Sequence, residues 1–213
     1  MAENTKIEWA THTFNPFIGC TAVSPACDNC YAERQAGRFG VEWGAKALRR
    51  RTSASNWSEV RRWNRRAAGA AVRPRVFCAS LADVFDNQVD PAWRCDLWDL
   101  IWETPNLDWL LLTKRPQNIP KMLPTTALGA LDDWCAGWPN VWLGTTVENQ
   151  AEAERRIPAL LSVPARVHFL SMEPLLGPVD LTTARNGWNA LVKPHLNGNR
   201  IGWVIAGGES GPR

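Results

Sequence analysis

Short apolar runs recur along the chain, each closing on small polar residues. They read "TFNPFIGC" (13–20), "RVFCAS" (75–80), "DWLLLT" (108–113), "NVWLGTTV" (140–147), "RVHFLS" (166–171) and "IGWVIAGG" (201–208). The runs are rich in β-branched and aromatic residues. Their apolar positions are continuous rather than alternating, as in strands covered on both faces. Pro16 interrupts the first run and makes it the weakest strand of the set. Between several runs the pattern turns helical. In "DPAWRCDLWDLIWE" (90–103), Asp90 is placed to cap and Pro91 suits the first helical position. Trp93, Leu97, Leu100 and Ile101 then share one face. In "ENQAEAERRIPALL" (148–161), Asn149 and Glu152 have capping-box spacing, and Pro158 is expected to kink or end the helix. Strands alternating with helices predict βαβ units around a parallel sheet, an α/β fold. Six strands suit a partial (β/α)6 TIM-like barrel or a doubly wound sheet, and the barrel is the favoured expectation.

Two segments break this rhythm: residues 31–74, and the polar, loop-like "VDLTTARNGWNALVKPHLNGNR" (179–200). With 213 residues, the chain suits a single barrel domain over 1–213 that carries 31–74 as a basic insertion. The net charge is only +3 but unevenly spread. Residues 1–75 hold 13 Lys/Arg against 6 Asp/Glu, a balance of +7, and the remainder holds 11 against 15, a balance of −4. Most of the excess lies in residues 46–75, where Trp57 and Trp63 interleave with the arginines. Such a stretch can follow a phosphate backbone and offer stacking faces to a nucleic acid or nucleotide. The competing reading is a solvated helix whose tryptophans point into the core, and it is the stronger of the two.

The start, "MAENTKIEWA", has no basic segment followed by an apolar one, so no signal peptide is expected. No apolar run approaches the roughly 18 residues needed to span a bilayer. The chain is therefore read as cytoplasmic, without membrane contact, and its six cysteines as reduced.

The polar residues after each run carry candidate chemistry. A parallel barrel gathers its active-site loops at the C-terminal strand ends. Ser80, Asp83, Thr113, Lys114, Arg115, Thr145, Glu148, Asn149, Ser171, Glu173, Glu209 and Ser210 would ring one mouth there. Taken singly, each could merely end a strand, cap a helix or pair structurally, as Glu148 or Glu173 could do with Arg115 or Lys114. Five strand ends of the same character favour a shared site.

After the first run, "GCTAVSPACDNCYAER" (19–34) places Cys20, Cys27 and Cys30 on one loop, with six and then two residues between them. A disulfide framework is disfavoured in a reducing compartment. Thiolate groups of this kind bind zinc or iron–sulfur clusters. Structural zinc needs a fourth ligand, for which His12, Cys78 or Cys95 is available. A cubane held by three cysteines leaves one iron open to a small molecule. Spacing alone does not decide between them. Cys78, Cys95 and Cys135 are otherwise read as packing or incidental residues.

The co-linear set "TKIEWATHTFNPFIGCTAVSPACDNCYAER", "VFCASLADVFDN", "WLLLTKRPQN", "VWLGTTVENQ", "FLSMEPLLGPVDL" and "WVIAGGESGP" resembles an uncharacterised phage-associated and bacterial three-cysteine family. That family is itself similar to radical S-adenosylmethionine enzymes, most nearly the spore photoproduct lyase branch. The resemblance implies a partial (β/α)6 barrel with a [4Fe–4S] cluster on Cys20, Cys27 and Cys30. It further implies that the open iron chelates S-adenosyl-L-methionine, and that reduction by an external electron donor yields a 5′-deoxyadenosyl radical. Ser80, Asp83, Thr113, Lys114, Thr145, Glu148, Ser171 and Glu173 are then the candidate contacts to that cofactor and to a nucleotide or nucleic-acid base as substrate. The alternative is a non-catalytic nucleic-acid-binding protein stabilised by zinc or a cluster. The superfamily motif has three residues in its first gap and an aromatic before its last cysteine. In this chain the gap is six, and Tyr31 follows Cys30. The superfamily places its "GGE" after the second strand, whereas Gly207, Gly208 and Glu209 follow the sixth run. Relatives continue beyond "GGESGP", so the chain is expected to be shortened at its C-terminus.

Overall fold

Proline decides how the first apolar run folds. In the computed structural model, which describes residues 1–124, 134, 137–182, 189, 191 and 198–208, this run forms two strands, β1 (His12–Phe14) and β2 (Phe17–Ile18). Pro16 has no N–H for a sheet ladder. The Asn15 side chain accepts from the Leu81 amide at 2.7 Å, while the Pro16 carbonyl accepts from the Thr52 amide at 2.9 Å. β2 thereby turns away to pair antiparallel with β3 (Arg50–Arg51), Phe17 opposite Arg51. The other five runs each give one strand: β4 (Arg75–Cys78), β5 (Asp108–Thr113), β6 (Val141–Thr146), β7 (Val167–Met172) and β8 (Ile201–Ala206).

The principal sheet has six strands in the order β1-β4-β5-β6-β7-β8, and its registered pairs are parallel. The order follows the chain with no reversal, so the doubly wound alternative, which needs a switch point, does not apply. The sheet is not closed: β1 and β8 are its ends. The architecture is thus α/β with a parallel six-strand sheet.

By compactness the chain divides into two units, Met1–Ala22 with Ala32–Leu111, and Val23–Tyr31 with Leu112–Arg213. In the first, β1, β4 and β5 lie side by side, Phe14 opposite Cys78 and Val76 opposite Trp109. The Phe14 ring meets Trp57 and Trp109 edge-on, with centroids 5.4 and 5.9 Å away. Within 31–74 stand α1 (Tyr31–Arg38), β3 and α2 (Ala54–Arg66). Trp57, Val60 and Trp63 recur at helical spacing on α2 and are all buried. Both tryptophans belong to the core, as the stronger of the two readings of this stretch had it. In α3 (Pro91–Trp102), Asp90 caps as expected, accepting from the Ala92 amide at 2.9 Å. Leu97, Trp98, Leu100 and Ile101 are buried, and Trp93 is only half-buried.

In the second unit, β6, β7 and β8 are parallel neighbours. Gly144 faces Phe169 across the β6–β7 ladder, and a Cβ there would stand 2.3 Å from the phenyl ring. The short helix α4 (Ile119–Met122) is followed by α5 (Gln150–Leu161), capped by Asn149 accepting from the Glu152 amide at 3.0 Å. Of the two outcomes expected at Pro158, an end does not occur there, since α5 runs on to Leu161. The proline sits in the last turn, where little helix remains to be disrupted. Asn199, in the polar stretch, donates to the Leu161 carbonyl at 2.9 Å. Among the described residues no helix is long and apolar enough to cross a membrane.

Candidate functional site at the cysteine loop and strand ends

Cys20 belongs to the first unit, and its surroundings are fixed by one arginine that the sequence pattern did not single out. Gly19 takes φ +115°, and a Cβ on it would come within 3.0 Å of the Arg49 side chain. The Gly19 amide donates to Leu81 O at 3.0 Å, and Cys20 O accepts from the Gly44 amide at 3.0 Å. Arg49 is enclosed with Asp86, its Nη2 2.6 Å from Asp86 Oδ2. The guanidinium also reaches Gly44 O (3.1 Å), Ala47 O (3.0 Å) and Thr21 Oγ1 (2.6 Å). A buried pair holds structure in this way only when its remaining donors are satisfied. Ser80 lies beside Asn15, with Nδ2 to Oγ at 3.0 Å. Asp83 accepts from the Phe85 amide at 2.9 Å in its own turn. Ala79, just before Ser80, is held at φ +64°.

Cys27 and Cys30 belong to the second unit. Pro25–Cys27 forms a 3₁₀ turn, and the Cys30 amide donates to Cys27 O at 3.3 Å. The Ala26 amide inside the turn donates to Glu148 Oε1 at 3.4 Å. Glu148 follows β6 and is completely buried. Its Oε2 accepts from Arg156 Nη1 at 2.7 Å, and its carbonyl accepts from the Leu176 amide at 2.8 Å. Burial lowers the pKa of Arg156, and the carboxylates of Glu148 and Glu152 oppose that shift. The structural partner of Glu148 is therefore Arg156, not Arg115 or Lys114. Glu148 lies just before α5, eight residues ahead of Arg156.

The remaining candidates stand at the ends of β5, β6 and β7. Thr145 is buried and donates its hydroxyl to Thr113 O at 2.8 Å, while Thr113 Oγ1 accepts from the Arg115 amide at 2.8 Å. Lys114 lies between them in sequence. Ser171 is buried, with its carbonyl accepting from the Val147 amide at 2.9 Å. Glu173 lies against Gly207, where a Cβ would come within 2.4 Å of its Oε1. The Tyr31 phenol is raised above its usual pKa, by burial first and then by the negative charge of Cys30 and Glu173. Glu209, Ser210 and Cys135 lie outside the described residues.

None of the five described cysteines is in a disulfide. Cys20, Cys27 and Cys30 are half-buried, Cys78 is fully buried with its thiol pKa pushed up by burial, and Cys95 is exposed. His12 stacks on Trp63 with centroids 4.4 Å apart, and its Nδ1 accepts from the Asn4 amide at 3.2 Å. The loop thiols fit a thiolate-held centre in donor chemistry, being accessible and close together along the chain. Among the described residues, no group of three or more His, Cys, Asp or Glu forms a ready-made metal shell.

No curated protein and no solved structure matches the chain. A family model described as "Protein of unknown function (DUF5131)" matches residues 4–213, and the chain belongs to that DUF5131 family.

Proposed function

We propose that the chain is an iron–sulfur enzyme of the radical S-adenosylmethionine type, with Cys20, Cys27 and Cys30 holding a [4Fe–4S] cluster. The observation that carries this reading is the contrast among the cysteines. Three half-buried thiols outside any disulfide share the loop after the first strands, whereas Cys78 is sealed in the core. A [4Fe–4S] cluster needs accessible thiolates, and three of them leave one iron open. The strand order supports a partial (β/α)6 TIM-like barrel. Parallel strands added in sequence order are what such a barrel is built from.

When bound, the cluster would pass an electron from an external donor to S-adenosyl-L-methionine, splitting it into methionine and a 5′-deoxyadenosyl radical. The chain's own part is to hold and orient. Glu173, which follows β7 with its carboxylate against Gly207, is one of the candidate contacts. Ser80, Asp83, Lys114 and Ser171 stand at or after strand ends, where a ligand's ribose and carboxylate would find polar partners. Thr113 and Thr145 already engage each other within the sheet, so their part is to shape that edge. The substrate class we favour is a nucleotide or nucleic-acid base, from the exposed arginines of α2.

Anaerobic reconstitution tests the reading. The loaded protein should be brown, contain near-equal iron and sulfide, and bleach in air. S-adenosyl-L-methionine should change its electron paramagnetic resonance spectrum, and a strong reductant should release 5′-deoxyadenosine. Replacing Cys20, Cys27 or Cys30 by alanine should abolish the colour, while Cys78→Ala should not. Colourless protein with one tightly held zinc would favour the non-catalytic binding protein. A cluster-loaded protein that neither binds nor cleaves S-adenosyl-L-methionine would defeat the enzyme reading.

A further inference from the structure

We infer that Glu148 is a positioning residue for the cysteine turn, capping from 122 residues away in sequence a turn that its own N-cap residue leaves open. Ser24 stands at the N-cap of the 3₁₀ turn Pro25–Cys27 with extended backbone angles, as a capping serine should. Its side chain makes no capping bond, and its Oγ is buried without a hydrogen-bond partner. The amide a local cap would take, that of Ala26, donates instead to Glu148 Oε1 at 3.4 Å.

Three features make Glu148 suited to this role and unsuited to touching a cofactor. It is fully buried. Its second oxygen is taken by Arg156 at 2.7 Å, and Arg156 is anchored in turn to Thr146 O at 2.9 Å. Its backbone carbonyl holds the Leu176 amide at 2.8 Å, which fixes the carboxylate's origin. Cys27 closes the turn, and the Cys30 amide bonds to the Cys27 carbonyl, so Ala26 is one residue from the first thiol it orients. Its effect on metal binding rests on the reading that these cysteines hold a metal, where an outer partner sets ligand geometry by holding the ligand's own backbone or side chain in place.

Glu148→Ala alone would strand a buried guanidinium and risk unfolding. The decisive variant is therefore Glu148→Met with Arg156→Met, which removes oxygen and charge together at similar volume. Cobalt(II) titrated anaerobically into the reduced full chain should give thiolate charge-transfer bands. The folded double variant, checked by near-ultraviolet circular dichroism, should bind about 10–100-fold more weakly. Glu148→Gln keeps an oxygen for Ala26 and should lose less. A folded double variant with wild-type cobalt affinity would overturn the inference. Hydrogen exchange on the wild-type chain reads the cap without any variant: the Ala26 amide should be protected, and exchange at the unprotected rate would also overturn it. Wild-type protein showing neither cobalt–thiolate bands nor a reconstituted cluster would defeat the metal reading instead, while Ala26 protection would still decide whether the cap exists.

Discussion

His12 owes its behaviour to three neighbours. Its ring lies on Trp63, and its Nδ1 can accept the Asn4 N–H only while that nitrogen carries no proton. Burial lowers its pKa as the largest effect, Glu3 opposes the shift and Arg66 adds to it. The folded chain therefore binds this proton less readily than the unfolded chain, whose histidine titrates near about 6.5. The stability this provides is complete above that value and is lost as pH falls from there toward the lower folded pKa. Melting temperatures should accordingly drop across this window in the wild type. In His12→Phe, which keeps an aromatic ring against Trp63 but cannot titrate, the drop should be shallower. Equal slopes in the two proteins would assign the pH dependence to other groups. The role of His12 was not legible in the sequence, where it stood out only as a possible fourth zinc ligand. Nothing local announces an amide from eight residues earlier in the chain.

At the scale of elements, β6 and β7 meet at one tight point. Gly144 lies under the Phe169 ring, and the 2.3 Å a Cβ would leave is far inside van der Waals contact. Gly144→Ala must push the ring or part the strands, at a cost of roughly 1–3 kcal/mol. A thermal melt should register a fall of about 2–4 °C per kcal/mol for a chain of this size, and an unchanged midpoint would mean that the ring swings aside freely. β4, β5 and β7 were legible because they are mostly buried and read as largely apolar runs, "RVFC", "DWLLLT" and "VHFLSM", whereas β8 is only partly buried. The caps Asp90 and Asn149 were legible because they act on amides two or three residues away. The division at Asn15 and Pro16 was only half legible. Proline announced an interruption, but the partners that redirect β2, Leu81 and Thr52, lie far along the chain. Polar strand ends were visible as a class, yet the choice of Arg156 for Glu148 depended on how α5 packs back.

Over the whole molecule, part of the positive balance of residues 1–75 is carried by helix α2, whose four arginines outnumber Glu59 and whose tryptophans turn inward. Arg61, Arg62 and Arg66 meet Glu103, Glu59 and Glu3 in exposed ion pairs. Pairs of this kind contribute up to about 1 kcal/mol each, too little to keep arginines from a polyanion. Single-stranded DNA or RNA should therefore bind with an affinity that falls steeply as salt rises. Reversing Arg61, Arg62, Arg65 and Arg66 to glutamate should abolish that binding. Unchanged affinity in this quadruple variant would leave α2 a solvated helix and remove the support for a nucleic-acid substrate. The distant cap on the cysteine turn also sets an order in time. Ala26 leaves the ribosome 122 residues ahead of Glu148, which at ~5–20 residues per second is a delay of roughly 6–25 s. Throughout that interval the thiols of the nascent chain are present, but the carboxylate that caps their turn is not. On the reading that these cysteines hold a metal, its loading would be a late event in the life of each molecule, following the synthesis of Glu148.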